Sequence, residues 1–147
     1  MIEIDISIDY KSSLSYNSNN IKKLSKKVLI SEECIKGNIA IILSNREHLN
    51  KLKKNYFNLD VYTDVIAFNL EDKNDCLDGE IYISIDDVLE NSKIFSKSFN
   101  DEFARILIHG ILHLLGYDDK TEAQKDKMSQ LENDYLLLLD YNLVSIL

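Results

Sequence analysis

His109-Gly110-Ile111-Leu112-His113-Leu114-Leu115-Gly116-Tyr117-Asp118-Asp119 is the stretch from which the rest of the chain can be read. It holds two of the three histidines, four positions apart, in the most apolar part of the sequence. Phe103, Ile106, Leu107, Ile108, Ile111, Leu112 and Leu115 make this region apolar around most of a helix surface, which predicts a central, buried helix. Ser98, with Asp101 three residues later, is its opening signal, and Gly116 stands where a helix commonly ends in a left-handed residue.

On such a helix His109 and His113 project from one face, about 6 Å apart at their bases. That spacing lets two imidazoles converge on one metal ion. Gly116 supplies a sharp turn, and Asp119, ten positions after His109, supplies a carboxylate where the chain folds back. Two histidines and one carboxylate are a recognised catalytic zinc set, with a fourth position left for water. Such water has its pKa lowered toward about 7 and can attack an ester or phosphodiester. Taken alone, the His pair reads equally well as two hydrogen-bonded core histidines; the turn and the acid behind it tip the reading to one zinc ion per chain. Asp118 is the neighbouring contender for the third ligand. Gly110 stands where zinc peptidases of the His-Glu-x-x-His type carry their general base, so peptidase chemistry lacks its base here.

Glu102, Arg105, His109 and His113 form a stripe on one helical face. Arg105 is the candidate catalytic residue, placed to hold an anionic substrate, and Glu102 is a candidate partner for an imidazole. The plainer reading of that pair is a surface ion pair worth little. His48 reads as ordinary surface.

Outward from this helix the pattern is mixed. Ile2, Ile4, Ile6 and Ile8 alternate with polar residues as a half-buried strand does. Ile21, Leu24, Val28 and Leu29 recur at helical spacing, and Gly37 stops that region before a short strand at Ile39–Leu43. Ser44, with Glu47 three residues on, is set to cap a helix running to about Asn55. Val61–Phe68 and Gly79–Ile85 are strand candidates with the acidic 71–78 stretch as a loop between them. A short helix is predicted near Asp86–Lys93. Asp119 or Thr121 caps a last helix with Met128, Leu131, Tyr135 and Leu138 along one face. Strands mixed with helices without strict alternation predict an α+β domain with one small mixed sheet.

The 147 residues fit one domain, spanning 1–147, and no Pro- or Gly-rich linker divides them. No apolar run approaches the roughly 20 residues that span a bilayer, and the acidic N-terminus does not suit a signal peptide. Cys34 and Cys76 are single and far apart, which suits reduced core thiols and a cytoplasmic address. The net charge of −8 argues against generic nucleic-acid affinity. Residues 1–60, however, carry 10 Lys+Arg against 7 Asp+Glu, while residues 61–147 carry 7 against 18. A polyanion would therefore meet the first part of the chain and a bound metal, although the split also serves plain solubility.

The His motif closely resembles the signature of the YbeY family of metal-dependent endoribonucleases, His-Gly-x-Leu-His-Leu-x-Gly-Tyr-Asp-His. Thr63-Asp64-Val65-Ile66-Ala67-Phe68 and Gly79-Glu80-Ile81-Tyr82-Ile83-Ser84 resemble two of its strands, in the family's order, so the resemblance covers roughly residues 38–135. It implies a single YbeY-like domain with a zinc site held by His109, His113 and, by substitution, Asp119. It also implies zinc-dependent, single-strand-specific cleavage in rRNA processing (3′-end maturation of small-subunit rRNA, and ribosome quality control), with rRNA and the small ribosomal subunit as partners. Two positions depart from the pattern. Asp119 replaces a histidine and makes the metal a weaker Lewis acid, and Phe57, after Tyr56, stands where the family has an arginine. Arg105, Lys53 or Lys54 would have to replace that cation. Lysines of the 21–29 and 51–54 segments are the expected contacts to RNA backbone. The alternatives are a non-catalytic, zinc-stabilised ribosome-assembly factor and a zinc hydrolase of other specificity.

Overall fold

The alternating isoleucines form β1 (Ile2–Ile8), with Ile2 and Ile4 buried and Glu3 and Asp5 exposed. A computed structural model of the chain describes residues 1–58, 63–73 and 76–146. After β1 come β2 (Leu14–Tyr16), α1 (Ser18–Ser31), β3 (Lys36–Ser44), α2 (Arg46–Phe57), β4 (Val65–Lys73) and β5 (Cys76–Ser84). They are followed by α3 (Ile85–Ile94), α4 (Phe99–Leu114), α5 (Glu122–Leu136) and β6 (Val144–Ile146). The main sheet is mixed, in the order β1-β3-β5-β4. The β1, β3 and β5 strands run parallel to one another, and β4 lies antiparallel to β5 at the edge. This is the small α+β architecture that the sequence predicts. The two short strands β2 and β6, which pair antiparallel on their own, carry no alternating pattern long enough to be read in advance.

Apolar periodicity decides the layers. Ile39, Ile41 and Leu43 of β3 and Ile81 and Ile83 of β5 are fully or almost fully buried. Across them lies α4, with ten of its sixteen residues buried, so it is a core helix and not a surface one. It touches β4, β5, α1, α3, α5 and β6. Each Ile, Leu or Phe so enclosed contributes about 1.5–3 kcal/mol relative to an exposed one, and that burial fixes the helix that carries both histidines. Gly110 lies close against the sheet: a Cβ there would lie 3.0 Å from Ile81 Cγ2 and 3.2 Å from Val65 Cγ2. Among the described residues, no helix is long and apolar enough to cross a membrane.

Several expected boundaries move. Gly37 does not stop the first helix; that helix ends at Glu32, and Gly37 sits inside β3. Ser44 ends β3, and Asn45 is the cap of α2, its side chain accepting from the His48 N–H at 2.9 Å. An asparagine caps as well as a serine, and the strand claims the serine first. The acidic 71–78 stretch is mostly strand, because pairing with β5, resumed past an irregularity between Asn69 and Glu71, carries β4 to Lys73 despite unfavourable local propensity. Positions 61 and 62 of the expected third strand, and 74 and 75 of the expected loop, lie outside the described residues. Thr121, not Asp119, caps α5, in a full capping box with Gln124. Leu138 lies beyond that helix and is 49% exposed, so only Met128, Leu131 and Tyr135 of its expected face pack inward. Cys34 packs against the core, as read, and the side chain of Cys76 is outside the described part.

Gly37 has a steric role that the sequence reading missed. A Cβ there would lie 2.3 Å from the Leu77 carbonyl oxygen in the neighbouring strand, and backbone in mid-sheet has nowhere to go. Gly37→Ala should lower the unfolding free energy by about 1–3 kcal/mol, as forced overpacking does. The loss is to be read as a lower urea midpoint with an unchanged slope.

Candidate metal centre

The helix that bears His109 and His113 starts at Ser98, whose hydroxyl accepts from the Asp101 N–H at 3.0 Å. It ends in a Schellman motif. Gly116 has φ +101°, its N–H donates to the His113 carbonyl, and the Tyr117 N–H donates to the Leu112 carbonyl, both at 3.0 Å. An L side chain rarely adopts that φ, so glycine is what lets the chain reverse here. The reversal carries Asp119 back over the two rings. Asp118 turns elsewhere, accepting the Asp119 N–H at 3.0 Å and lying 3.8 Å from Lys120 Nζ. Of the two aspartates, Asp119 is the one that joins the histidines.

Three donor atoms converge. His109 Nε2 and His113 Nε2 are 3.0 Å apart, and Asp119 Oδ2 lies 3.4 Å from the first and 3.5 Å from the second. Zinc bonds to imidazole nitrogen and carboxylate oxygen of about 2.0–2.1 Å give a tetrahedron with edges of about 3.4 Å. The triangle therefore has the dimensions of one face of that tetrahedron, and the donor types suit zinc or another divalent transition metal. His, His and Asp also form the cation-sized cluster among the described residues.

Behind the triangle stands a carboxylate that the sequence reading did not single out. Glu132 Oε2 is 2.7 Å from His109 Nδ1. An ionised carboxylate can only accept, so Nδ1 carries the proton and the Nε2 lone pair points at the metal position. Burial disfavours a charged His109 ring, but the hydrogen bond and charge of Glu132, with Asp119 and Asp64 adding to them, raise its pKa above the usual imidazole value. The other oxygen of Glu132 lies 3.5 Å from Arg105 Nη1, and Arg105 also makes two bonds to Glu102, at 2.9 and 2.5 Å.

Two expectations about this stripe are thereby corrected. The Glu102–Arg105 pair is not a surface pair, since Glu102 is 1% exposed and desolvation makes such a pairing obligatory. Nor is Glu102 the partner of an imidazole; Glu132 is, and it belongs to the next helix. Glu132 had a signal in the sequence: it falls at helical spacing between Met128 and Tyr135, an acid on the buried face of α5. Arg105 is held protonated by Glu102 against its own burial, and it lines a different cavity, with Lys97, Asp101, Asn133 and Leu136.

The histidines open instead onto a cavity of about 460 Å³. Lys53, Phe57, Thr63, Asp64, Val65, Ala67 and Asp119 share its lining. Asp64 was read only as part of a strand motif. Burial raises its pKa while Arg105 and His109 pull it back, and Asn91 donates to its Oδ2 at 3.2 Å. His48 stands apart from this cluster, its Nδ1 3.3 Å from Asp9 Oδ2 and from Ser44 Oγ. The turn itself is tied down by Glu32, which accepts from the Tyr117 hydroxyl at 2.5 Å and from the Tyr135 hydroxyl.

Comparison with known proteins agrees with this geometry. A family model described as Endoribonuclease YbeY matches residues 5–140. Proteins named Endoribonuclease YbeY are similar to the chain. That of Karelsulcia muelleri is 46% identical over 102 residues, 69% of this chain and 71% of the relative. That of Flavobacterium psychrophilum is 36% identical over 138 residues, 94% and 96%. A Thermotoga maritima protein of known solution structure superposes with a TM-score of 0.59 at 27% identity, covering 90% of this chain and 86% of that one.

If Glu132 orients His109, Glu132→Gln should weaken zinc binding about tenfold or more, the usual cost of losing such a partner. It should also lower the pKa of His109 in the metal-free protein, because the charge that raised it is gone. Competition with a chromophoric chelator measures the first, and histidine proton NMR against pH the second. Unchanged affinity would show that the contact is incidental.

Proposed function

This chain belongs to the Endoribonuclease YbeY family, and we propose that it is a zinc-dependent endoribonuclease acting on single-stranded rRNA in the cytoplasm, with the small ribosomal subunit as its setting. That the enzyme is a nuclease hydrolase acting on RNA follows from the family. The zinc, the ribosomal substrate and the residue roles are the proposal. The observation that carries it is the triangle of His109 Nε2, His113 Nε2 and Asp119 Oδ2, with edges of 3.0, 3.4 and 3.5 Å. His109, His113 and Asp119 would hold the zinc ion, which would supply Lewis acidity toward water and the phosphate.

The chain's own residues do the rest. Glu132 holds His109 in the tautomer that leaves Nε2 open to a cation. Asp64, half-buried on the same cavity, has its pKa raised by desolvation, with Arg105 and His109 opposing the shift. Lys53 lines the cavity with Phe57, at the position where the family resemblance has an arginine. Its ammonium lies 5.2 Å from the Phe57 ring centre, so a cation stands within one side chain of the missing one. Lys53 thereby takes the phosphate-positioning role, and Arg105, which is committed to Glu102 and Glu132, does not. The assembly-factor alternative drew its strength from the lost arginine, and Lys53 weakens it. The peptidase alternative weakens too. Gly110 faces Ile81 and Val65, so a glutamate at that position would point into the sheet and not into the site.

Purified protein loaded with zinc should cleave single-stranded rRNA fragments, and His113→Ala should abolish the activity. Cleavage that persists undiminished in His113→Ala would belong to a contaminating nuclease and sink the proposal. Metal analysis should give about one zinc per chain, falling on Asp119→Ala, since three protein ligands are the usual catalytic set. Lys53→Ala should lower kcat/KM by about tenfold to a hundredfold, the worth of one charge-assisted contact, whereas Lys53→Arg should retain most activity.

A further inference from the structure

Beside the metal cavity, at the C-terminal end of α2, three aromatic rings cluster around Phe68. Phe57 stacks on it nearly parallel, with centres 5.6 Å apart and planes at 12°. Tyr56 and Tyr82 meet it edge-on at 5.4 and 5.9 Å. A cluster of this kind would normally be core, yet Tyr56 is 69% exposed and Phe57 is 44% exposed. Phe57 also lines the cavity that His109, His113 and Asp119 open onto. Exposed aromatic surface costs solubility unless something covers it, and the charge around it says what that is. Lys51, Lys53 and Lys54 stand on the same helix, in the part of the chain that is net positive. A surface of flat rings edged with lysines, next to a site that takes phosphate, matches a nucleobase attached to its own backbone.

We propose that Phe57, backed by Phe68 and flanked by Tyr56, is a base-stacking platform that holds the nucleobase next to the scissile phosphate of single-stranded RNA. This rests on the nuclease reading above and deepens it, because stacking on a side chain requires a base free of its own helix. Phe68 stands on the edge strand β4, and Phe57 lines the same cavity as Lys53 and the histidines, so a strand of RNA can place a phosphate at Lys53 and the metal ligands while its base reaches Phe57. Stacking engages the π face and not a hydrogen-bonding edge, so the platform accepts any base and excludes duplex. The position that loses the family's cation thus gains a ring.

The test uses the zinc-loaded protein and a single-stranded oligoribonucleotide carrying 2-aminopurine, whose fluorescence falls on stacking. Phe57→Leu keeps the apolar volume and removes the ring; it should raise KM about tenfold with kcat within about twofold, at the lower end of what one stacked base contributes. Tyr56→Ala should show a smaller rise in KM, and Phe57→Trp should restore or improve on the native value. Quenching of the probe should be lost in Phe57→Leu and kept in Phe57→Trp, while the zinc content of both stays that of the native protein. Unchanged KM and quenching in Phe57→Leu would overturn the platform and leave the nuclease reading intact. Phe57-dependent quenching by a native protein that cuts no RNA would uphold the platform and overturn the nuclease reading instead.

Discussion

One guanidinium holds the centre together. Arg105 lies between Glu102 and Glu132, two carboxylates removed almost entirely from water, and it is the cation that bonds to both. Leaving either acid unpaired at that depth would cost several kcal/mol, so the two helices that carry them cannot drift apart without breaking the arrangement. The second oxygen of Glu132 is then committed to His109, and the ring can present only one nitrogen to a cation. The direction in which His109 faces the candidate cation position is set from behind, by a charge network outside the His109–His113–Asp119 triangle.

The same network leaves the site electrically incomplete. Glu102, Glu132, Asp119 and Asp64 bring four carboxylates into or behind the cavity, against Arg105 and the more distant Lys53. A divalent cation held among them would relieve that excess, and, against the lowering effect of burial, Glu132, Asp119 and Asp64 among them raise the pKa of His109. β4 is the edge strand of the main sheet, and residues of α2, β4 and α4 line one cavity there.

The ligand pair, its helix and the turn behind it were legible in the sequence because all three depend on neighbours within one or two turns. Ser98 caps over three residues, His109 and His113 align over four, and the Gly116 reversal closes over five. The strands of the main sheet were legible where isoleucines alternate and obscure where pairing overrode composition, as in the acidic end of β4. The cap of α2 was misplaced by one residue because serine and asparagine compete for the role and only the strand's end decides between them.

What tertiary structure alone decided lies between partners distant along the chain. Glu132 is 23 residues from His109, Glu32 is 85 residues from Tyr117, and Asp64 and Lys53 reach the cavity from elements beyond the ligand helix. The sequence by itself determined that a paired-histidine helix ends in a turn bearing an acid, since helical periodicity and capping are short-range rules. It could not say which acid would stand behind which ring, or that Phe57 would open onto the same cavity. Those contacts exist only where the burial of apolar faces brings separate elements together, and no local pattern records that outcome.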